Sequence, residues 1–120
     1  MIKFDISSLK FNENGLIPAV VQSSSTLEVL MLAWMNKIAI EQTIDTNLAT
    51  FWSRSRNNLW IKGLTSGNTQ MVKSFRFDCD RDCILLLVEP NGPACHTNRR
   101  NCFYTELVEG EEHTILNPEI

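Results

Sequence analysis

The chain lacks any apolar run approaching the roughly 18–20 residues that a membrane helix needs, and residues 1–10 hold no apolar stretch of signal-peptide length. Membrane insertion and export are therefore not expected, and a reducing cytoplasm is the expected compartment. A strong charge of either sign is missing too. Against 14 Asp and Glu stand 11 Lys and Arg, leaving a formal net charge of -3. Such a chain creates no field that would gather a polyanion, so nucleic acid is not an expected partner. There are no repeats and no low-complexity tracts, which excludes solenoid, collagen-like and disordered classes. Cysteine is limited to four residues, all within 79–102. In a reducing compartment that clustering reads as metal ligands or free thiols rather than disulfides.

What is present suits an ordinary globular protein. At 120 residues, with 43% hydrophobic and 21% charged residues, the chain can bury one modest core. A single domain over 1–120 is expected, its core spanning about 15–104 and a C-terminal extension covering 105–120. Residues 16–22 are apolar and β-branched around Pro18, which suits an edge strand or a strand start. Residues 27–35 form an apolar run broken only by Glu28, and periodicity does not separate buried strand from buried helix there. Asn36 is a good N-cap for a helix over about 37–46, with Ile38, Ala39, Ile40 and Ile44 as its apolar stripe and Asn47 as its left-handed stop. Residues 48–54 and 59–62 read as a hairpin around 55–58, residues 71–77 and 84–88 as further strands, and 102–104 as the start of a last one. The acidic tail from Glu109 is a peripheral extension, and His113 within it is solvated.

The chemistry is concentrated between Asp78 and Cys102. Asp78, Asp80 and Asp82 share one face if the segment is extended, with Cys79 on the other. The outer carboxylates would then lie about 13 Å apart, too far for one ion, so a shared cation requires a bend at residues 80–82. Oxygen donors suit Mg²⁺ and thiolates suit Zn²⁺. The triplet alone reads equally as a solvated acidic strand end. Asp78, Asp80, Asp82 and Glu89 match four EF-hand positions, but Cys83 stands where that loop needs Gly, residues 84–88 are strand-like, and Pro90 forbids an exiting helix. Cys79, Cys95 and Cys102 supply three zinc ligands and leave one position open, as in catalytic sites; adding Cys83 would close the site into a structural one. Cys83 is assigned instead to a buried apolar role. His96, in a polar loop beside Cys95, is a candidate general base. Trp52 and Trp60 are expected to pack in the core, and Arg54 and Arg56 read equally as a solvated strand face.

Residues 52–56 (Trp-Ser-Arg-Ser-Arg), 59–63 (Leu-Trp-Ile-Lys-Gly), 65–68 (Thr-Ser-Gly-Asn), 78–82 (Asp-Cys-Asp-Arg-Asp) and 92–97 (Gly-Pro-Ala-Cys-His-Thr) through Cys102-Phe103 resemble the phosphoribosyl-AMP cyclohydrolases of histidine biosynthesis. The resemblance runs in order from about Gly15 to Tyr104. It implies an α+β, predominantly β fold of short, largely antiparallel strands with one main helix, forming an intertwined homodimer. Residues 27–35 become a strand. It further implies one zinc per subunit, held by Cys79 of one protomer with Cys95 and Cys102 of the other, and Mg²⁺ at Asp78, Asp80 and Asp82. The implied reaction is hydrolysis of the N1–C6 bond of the adenine ring of 1-(5-phosphoribosyl)-AMP, giving the formimino imidazole carboxamide ribotide. For the phosphates of that implied substrate, Ser53, Arg54, Ser55, Arg56, Lys62, Ser66, Gly67, Asn68, Arg99 and Arg100 offer guanidinium groups, hydroxyls and turn amides as donors. Asn47, Leu64, Ser23 and Cys83 depart from the commoner Gly, Glu, Asp and Thr, and none of these is a proposed ligand. Residues 105–120 are too few to hold the second, pyrophosphohydrolase domain of bifunctional relatives, so that activity is expected from a separate protein. The competing class is a structural zinc module with four thiolates. The His-x-Glu and Cys-x-x-Cys signature of zinc deaminases is absent.

Overall fold

Alternation decides the first strand. In β1 (Ile17–Ser23), Ile17, Ala19, Val21 and Ser23 are buried while the residues between them are half-buried, the period of two expected of a pleated strand. The computed structural model describes residues 3–119 and places β1 in the middle of a six-stranded sheet rather than at an edge. It runs antiparallel to β2 (Val29–Met35) and parallel to β6 (Ile84–Pro90). Pro18 is tolerated because the β6 pairing begins one residue later, at Ala19. β2 settles the ambiguous apolar run as a strand between β1 and a further strand of the sheet; Leu30, Met31, Ala33 and Met35 are buried, while Val29 and Leu32 stay exposed.

Helix α1 (Lys37–Thr46) has the expected bounds. The Asn36 side chain accepts a hydrogen bond from the Ala39 N–H at 2.8 Å, and Asn47 closes the helix at φ 61°. Its inner face differs from the expected stripe: Ala39, Ile40 and Thr43 are buried, whereas Ile38 is 53% exposed. Thr43 is tolerated inside because its hydroxyl donates to the Ala39 carbonyl at 2.8 Å and accepts from the Thr50 N–H at 3.0 Å.

β3 (Thr50–Ser53) and β4 (Asn58–Ile61) make the expected hairpin, and β5 (Gln70–Phe77) pairs antiparallel with β6. The sheet order is β4-β3-β2-β1-β6-β5. The sheet then curls back on itself. The Ala49 N–H donates to the Gln70 carbonyl at 2.9 Å, its carbonyl accepts from the Lys62 N–H at 3.0 Å, and the Val72 N–H reaches the Asn47 carbonyl at 2.7 Å. Residues 47–49 thus join the beginning of β5 to the segment leading into β3. Phe51, Ile17, Met35, Ile40, Ile84 and Leu86 fill the interior.

The last strand begins later than expected. Cys102 lies in a bend and Phe103 in irregular chain, and β7 (Thr105–Val108) starts after them, pairing with β8 (Glu111–Thr114) in a separate, fully exposed hairpin. His113 in β8 is exposed. Among the described residues, no helix is long and apolar enough to cross a membrane.

Candidate active site

Two loops that depend on glycine shape a cleft of about 700 Å³. Gly63 has φ 80°, and a Cβ there would overlap the Asn68 backbone; Gly92 has φ 100°, and a Cβ would strike the Asn68 side chain. The Asn91 N–H donates to the Thr69 carbonyl at 2.8 Å and its side-chain amide to the Gly67 carbonyl at 2.9 Å, locking the loops together. Into this cleft the fold brings Ser53, Ser55, Arg56, Lys62, Ser66 and Asn68 from the candidate phosphate donors, together with Cys95 and His96.

Other candidates lie elsewhere. Arg54 is exposed and stacks its guanidinium over the Trp34 ring at 4.9 Å, beside a shallower hollow that Trp34, Trp52 and Trp60 line. Gly67 is on the loop but off the cleft lining. Arg99 donates to the Leu116 carbonyl at 2.8 Å and covers the Tyr104 ring at 4.1 Å, so it ties down the tail. Arg100 pairs with Glu28. Trp60 differs from the core-packing expectation: it packs against Phe51 but is 38% exposed and lines the cleft, while Trp52 is half-buried. Leu64, which the resemblance sets beside the pocket in place of a commoner Glu, lines the cleft, as does Asn98, which carried no sequence signal.

Cys95 is buried, and the Thr97 hydroxyl donates to its sulfur at 3.1 Å. Burial pushes its thiol up, but the Thr97 hydroxyl and N–H, the neighbouring Cys102 thiol and Arg99 together hold it below the usual thiol range. Cys102 is exposed as a residue, yet its sulfur is desolvated against Cys95 and is pushed up to about 11, first by burial and then by the Cys95 charge. Two adjacent thiols, one resisting ionisation through burial and then through the charge of the other, form a donor set that a cation would complete. Lys62 is buried beside them. Desolvation lowers its ammonium below the usual lysine range, and the charges of Cys102 and Cys95 partly offset that.

Cys79 does not join them within the chain. It is exposed on the loop after β5, at the opposite end of that strand from the cleft loop, with eight strand residues between. Across residues 78–83 the chain makes the bend that a shared cation requires. The Asp78 carboxylate accepts from the Asp82 N–H at 3.0 Å and the Cys83 N–H at 3.3 Å, and Arg81 adopts φ 61°. One oxygen each from Asp78, Asp80 and Asp82 then lies within 4.8 Å of the others, all exposed. Its hydrogen bond to Asp78 raises the Asp82 carboxyl; at Asp78 a desolvation that works upward is outweighed by the N–H groups of Asp82, Cys83 and Arg81, which lower it. That spacing and charge fit a small divalent cation. The loop is also anchored from outside: the Arg81 guanidinium donates to the Ser8 hydroxyl at 3.0 Å and lies over Phe77 at 4.7 Å. Cys83 is half-buried rather than fully buried; desolvation raises its thiol, with Asp78 and Asp82 adding to the shift.

The family model for phosphoribosyl-AMP cyclohydrolase matches residues 31–104, the stretch that holds the cleft, the thiols and the acidic loop. The chain belongs to the phosphoribosyl-AMP cyclohydrolase family. Curated phosphoribosyl-AMP cyclohydrolases agree with it over nearly their whole length. A relative from Cereibacter sphaeroides is 60% identical over 117 residues, covering 98% of each chain. One from Paracoccus denitrificans is 56% identical over 116 residues, covering 97% of this chain and 96% of its own. One from Ruegeria pomeroyi is 54% identical over 115 residues, covering 96% and 97%. The chain is accordingly a hydrolase of the phosphoribosyl-AMP cyclohydrolase family.

Proposed function

We propose that this chain opens the adenine ring of 1-(5-phosphoribosyl)-AMP by zinc-dependent hydrolysis of the N1–C6 bond, as a cytoplasmic homodimer in histidine biosynthesis. The observation that carries the reading is the placement of Cys95 and His96 on one cleft, with the Cys102 sulfur against Cys95 and Cys79 at the far end of β5. Eight extended residues span roughly 25 Å, so one protomer supplies two thiols and a partner supplies the third. Cys95 and Cys102, with Cys79 of the partner subunit, would hold zinc; Asp78, Asp80 and Asp82 would hold Mg²⁺. Zinc, when bound, acts as a Lewis acid that makes water acidic enough to supply hydroxide near neutral pH.

The chain's own residues do the rest. His96, exposed on the cleft, accepts a proton from the attacking water and returns it to N1 as the ring opens. Ser53, Ser55, Arg56, Lys62, Ser66 and Asn68 hold the phosphates, with Arg54, Gly67 and Arg99 at the margin of that set. The exposed face of Trp60 offers a platform for the purine.

Purified protein incubated with phosphoribosyl-AMP and both metals is expected to change the purine absorbance. Serine at position 79, 95 or 102 abolishes the change, and serine at 83 does not. Refolding a mixture of Cys79→Ser and Cys95→Ser protomers restores about a quarter of wild-type activity, because half of randomly paired dimers carry one intact site. No spectral change from zinc-loaded protein rules the reaction out, and no recovery on mixing rules out ligands shared between protomers.

A further inference from the structure

The zinc reading leaves unexplained how Cys102, exposed and outside any strand, is held against Cys95. The residues around it are bonded to one carboxylate. Glu28 accepts from Arg100 Nη2 through Oε1 and from Asn101 Nδ2 at 2.6 Å through Oε2. Asn101, itself buried, then accepts the Phe103 N–H at 2.8 Å on its Oδ1, and the Cys102 N–H donates to the Leu30 carbonyl at 2.8 Å. The residue before Cys102, the residue after it and its own amide are thus all fixed by the β1–β2 turn and the start of β2.

That turn is itself built to hold a fixed shape. Leu27 adopts φ 64°, a left-handed conformation disfavoured for a bulky residue, with a side chain 61% exposed that contributes little packing. It is held there by Gln22 Nε2 donating to its carbonyl at 2.7 Å and by its own N–H to the Ser23 carbonyl at 3.0 Å. The Glu28 carbonyl accepts the N–H of buried Ser23 at 2.8 Å, and its N–H donates to the Thr26 hydroxyl at 3.2 Å. The backbone beneath the carboxylate is therefore fixed to the central strand of the sheet.

We infer that Glu28 is a positioning residue for the Cys102 thiol: its carboxylate clamps Arg100 and Asn101 so that Cys102 is set beside Cys95 before a metal arrives. This rests on the proposed thiolate site. Residues that orient a metal's ligands from behind typically change its affinity by about 10–100-fold when removed, and Glu28 performs that service through the main chain of the ligand loop.

The test uses the zinc-loaded full-length protein and measures zinc release to excess 4-(2-pyridylazo)resorcinol. Glu28→Ala is expected to release zinc at least about 10-fold faster than wild type. Glu28→Gln, which keeps an acceptor for Asn101 and loses the ion pair, falls between. In both, Mn²⁺ binding at the acidic loop, followed by electron paramagnetic resonance, stays as in wild type, and the cobalt-substituted protein shows altered thiolate charge-transfer bands. Wild-type release rates with wild-type cobalt spectra overturn the inference, as does an equal loss of zinc and Mn²⁺ binding, which marks a general folding role. If Glu28→Ala does not fold, Glu28→Gln decides alone by the same criteria. A Cys102→Ser protein that keeps its zinc and releases it at the wild-type rate overturns the thiolate site itself, whatever Glu28 does.

Discussion

Replacing Gly63 by Ala separates two contributions that usually travel together. At φ 80° any non-glycine residue bears the left-handed backbone cost, about 1–2 kcal/mol. Gly67, four residues on, has nearly the same φ of 84° but open space around its missing Cβ, so Gly67→Ala carries that backbone cost alone. At Gly63 the added methyl also overlaps the Asn68 backbone, which cannot swing aside as a side-chain tip would. Overpacking of this kind costs about 1–3 kcal/mol, so Gly63→Ala should be destabilised by about 2–5 kcal/mol in total. Urea unfolding at one fixed protein concentration measures both. The cleft should respond as well: Ser66 and Asn68 ride on this loop, so Gly63→Ala raises KM for phosphoribosyl-AMP while Gly67→Ala changes it little. Equal midpoints for the two variants would refute the claim that close backbone approach, rather than conformational freedom, fixes glycine at position 63.

Truncating His96 to Ala is expected to lower turnover by about 10²–10⁴-fold with zinc content unchanged, read by steady-state kinetics and metal analysis on one preparation. The Arg100 guanidinium, and then Asn101, hold the Glu28 carboxyl below its ordinary value of 4.5. A lowered folded-state value means the stabilisation is fully present above pH 4.5 and fades as pH falls toward the lowered value, so Glu28→Gln should flatten the acid limb of a stability-against-pH curve in that window and lower the plateau above it. Phe51→Ala, at a fully buried ring packed on Trp60, should cost about 3–5 kcal/mol by denaturant unfolding, and a loss under about 1 kcal/mol would contradict its place in the core.

Legibility in the sequence followed the range of the forces involved. Helix α1 was readable to its last residue because its start and stop are local: the Asn36 side chain bonds three residues ahead, and Asn47 accepts a left-handed φ. The β3–β4 hairpin and the β5 and β6 segments were readable for the same reason. The central place of β1 was not, because Pro18 signals an edge unless the register of a distant strand is known, and that register begins only at Ala19 with Ile84. Nor was the closure through residues 47–49, which depends on backbone groups that every residue carries. Ile38 was assigned inward on hydrophobicity, whereas Thr43 took the interior because two hydrogen bonds satisfy its hydroxyl. Around the site, a bend at residues 80–82 was expected only if Asp78, Asp80 and Asp82 share one cation, and the chain does bend there. The gathering of Ser53, Lys62 and Cys95 on one cleft was not legible, because it depends on how loops far apart in the chain fold together. Glu28 had left a trace as the one charge interrupting an apolar run, but its partners lie more than seventy positions away.

The junction at Ala49 bears on how this protein behaves in a crowded cell. An open β-sheet ends in two rows of bare amides and carbonyls, each a template for another chain to add a strand. Here the first residues of β5 are already occupied by the 47–49 segment, and the rest of that outer strand carries Lys73 and Arg76, with Lys73 paired to Glu89 at 3.5 Å. What remains open along β5 is short and carries two cations, so that rim is a poor template for a further strand, a useful property in a fold made mostly of strands.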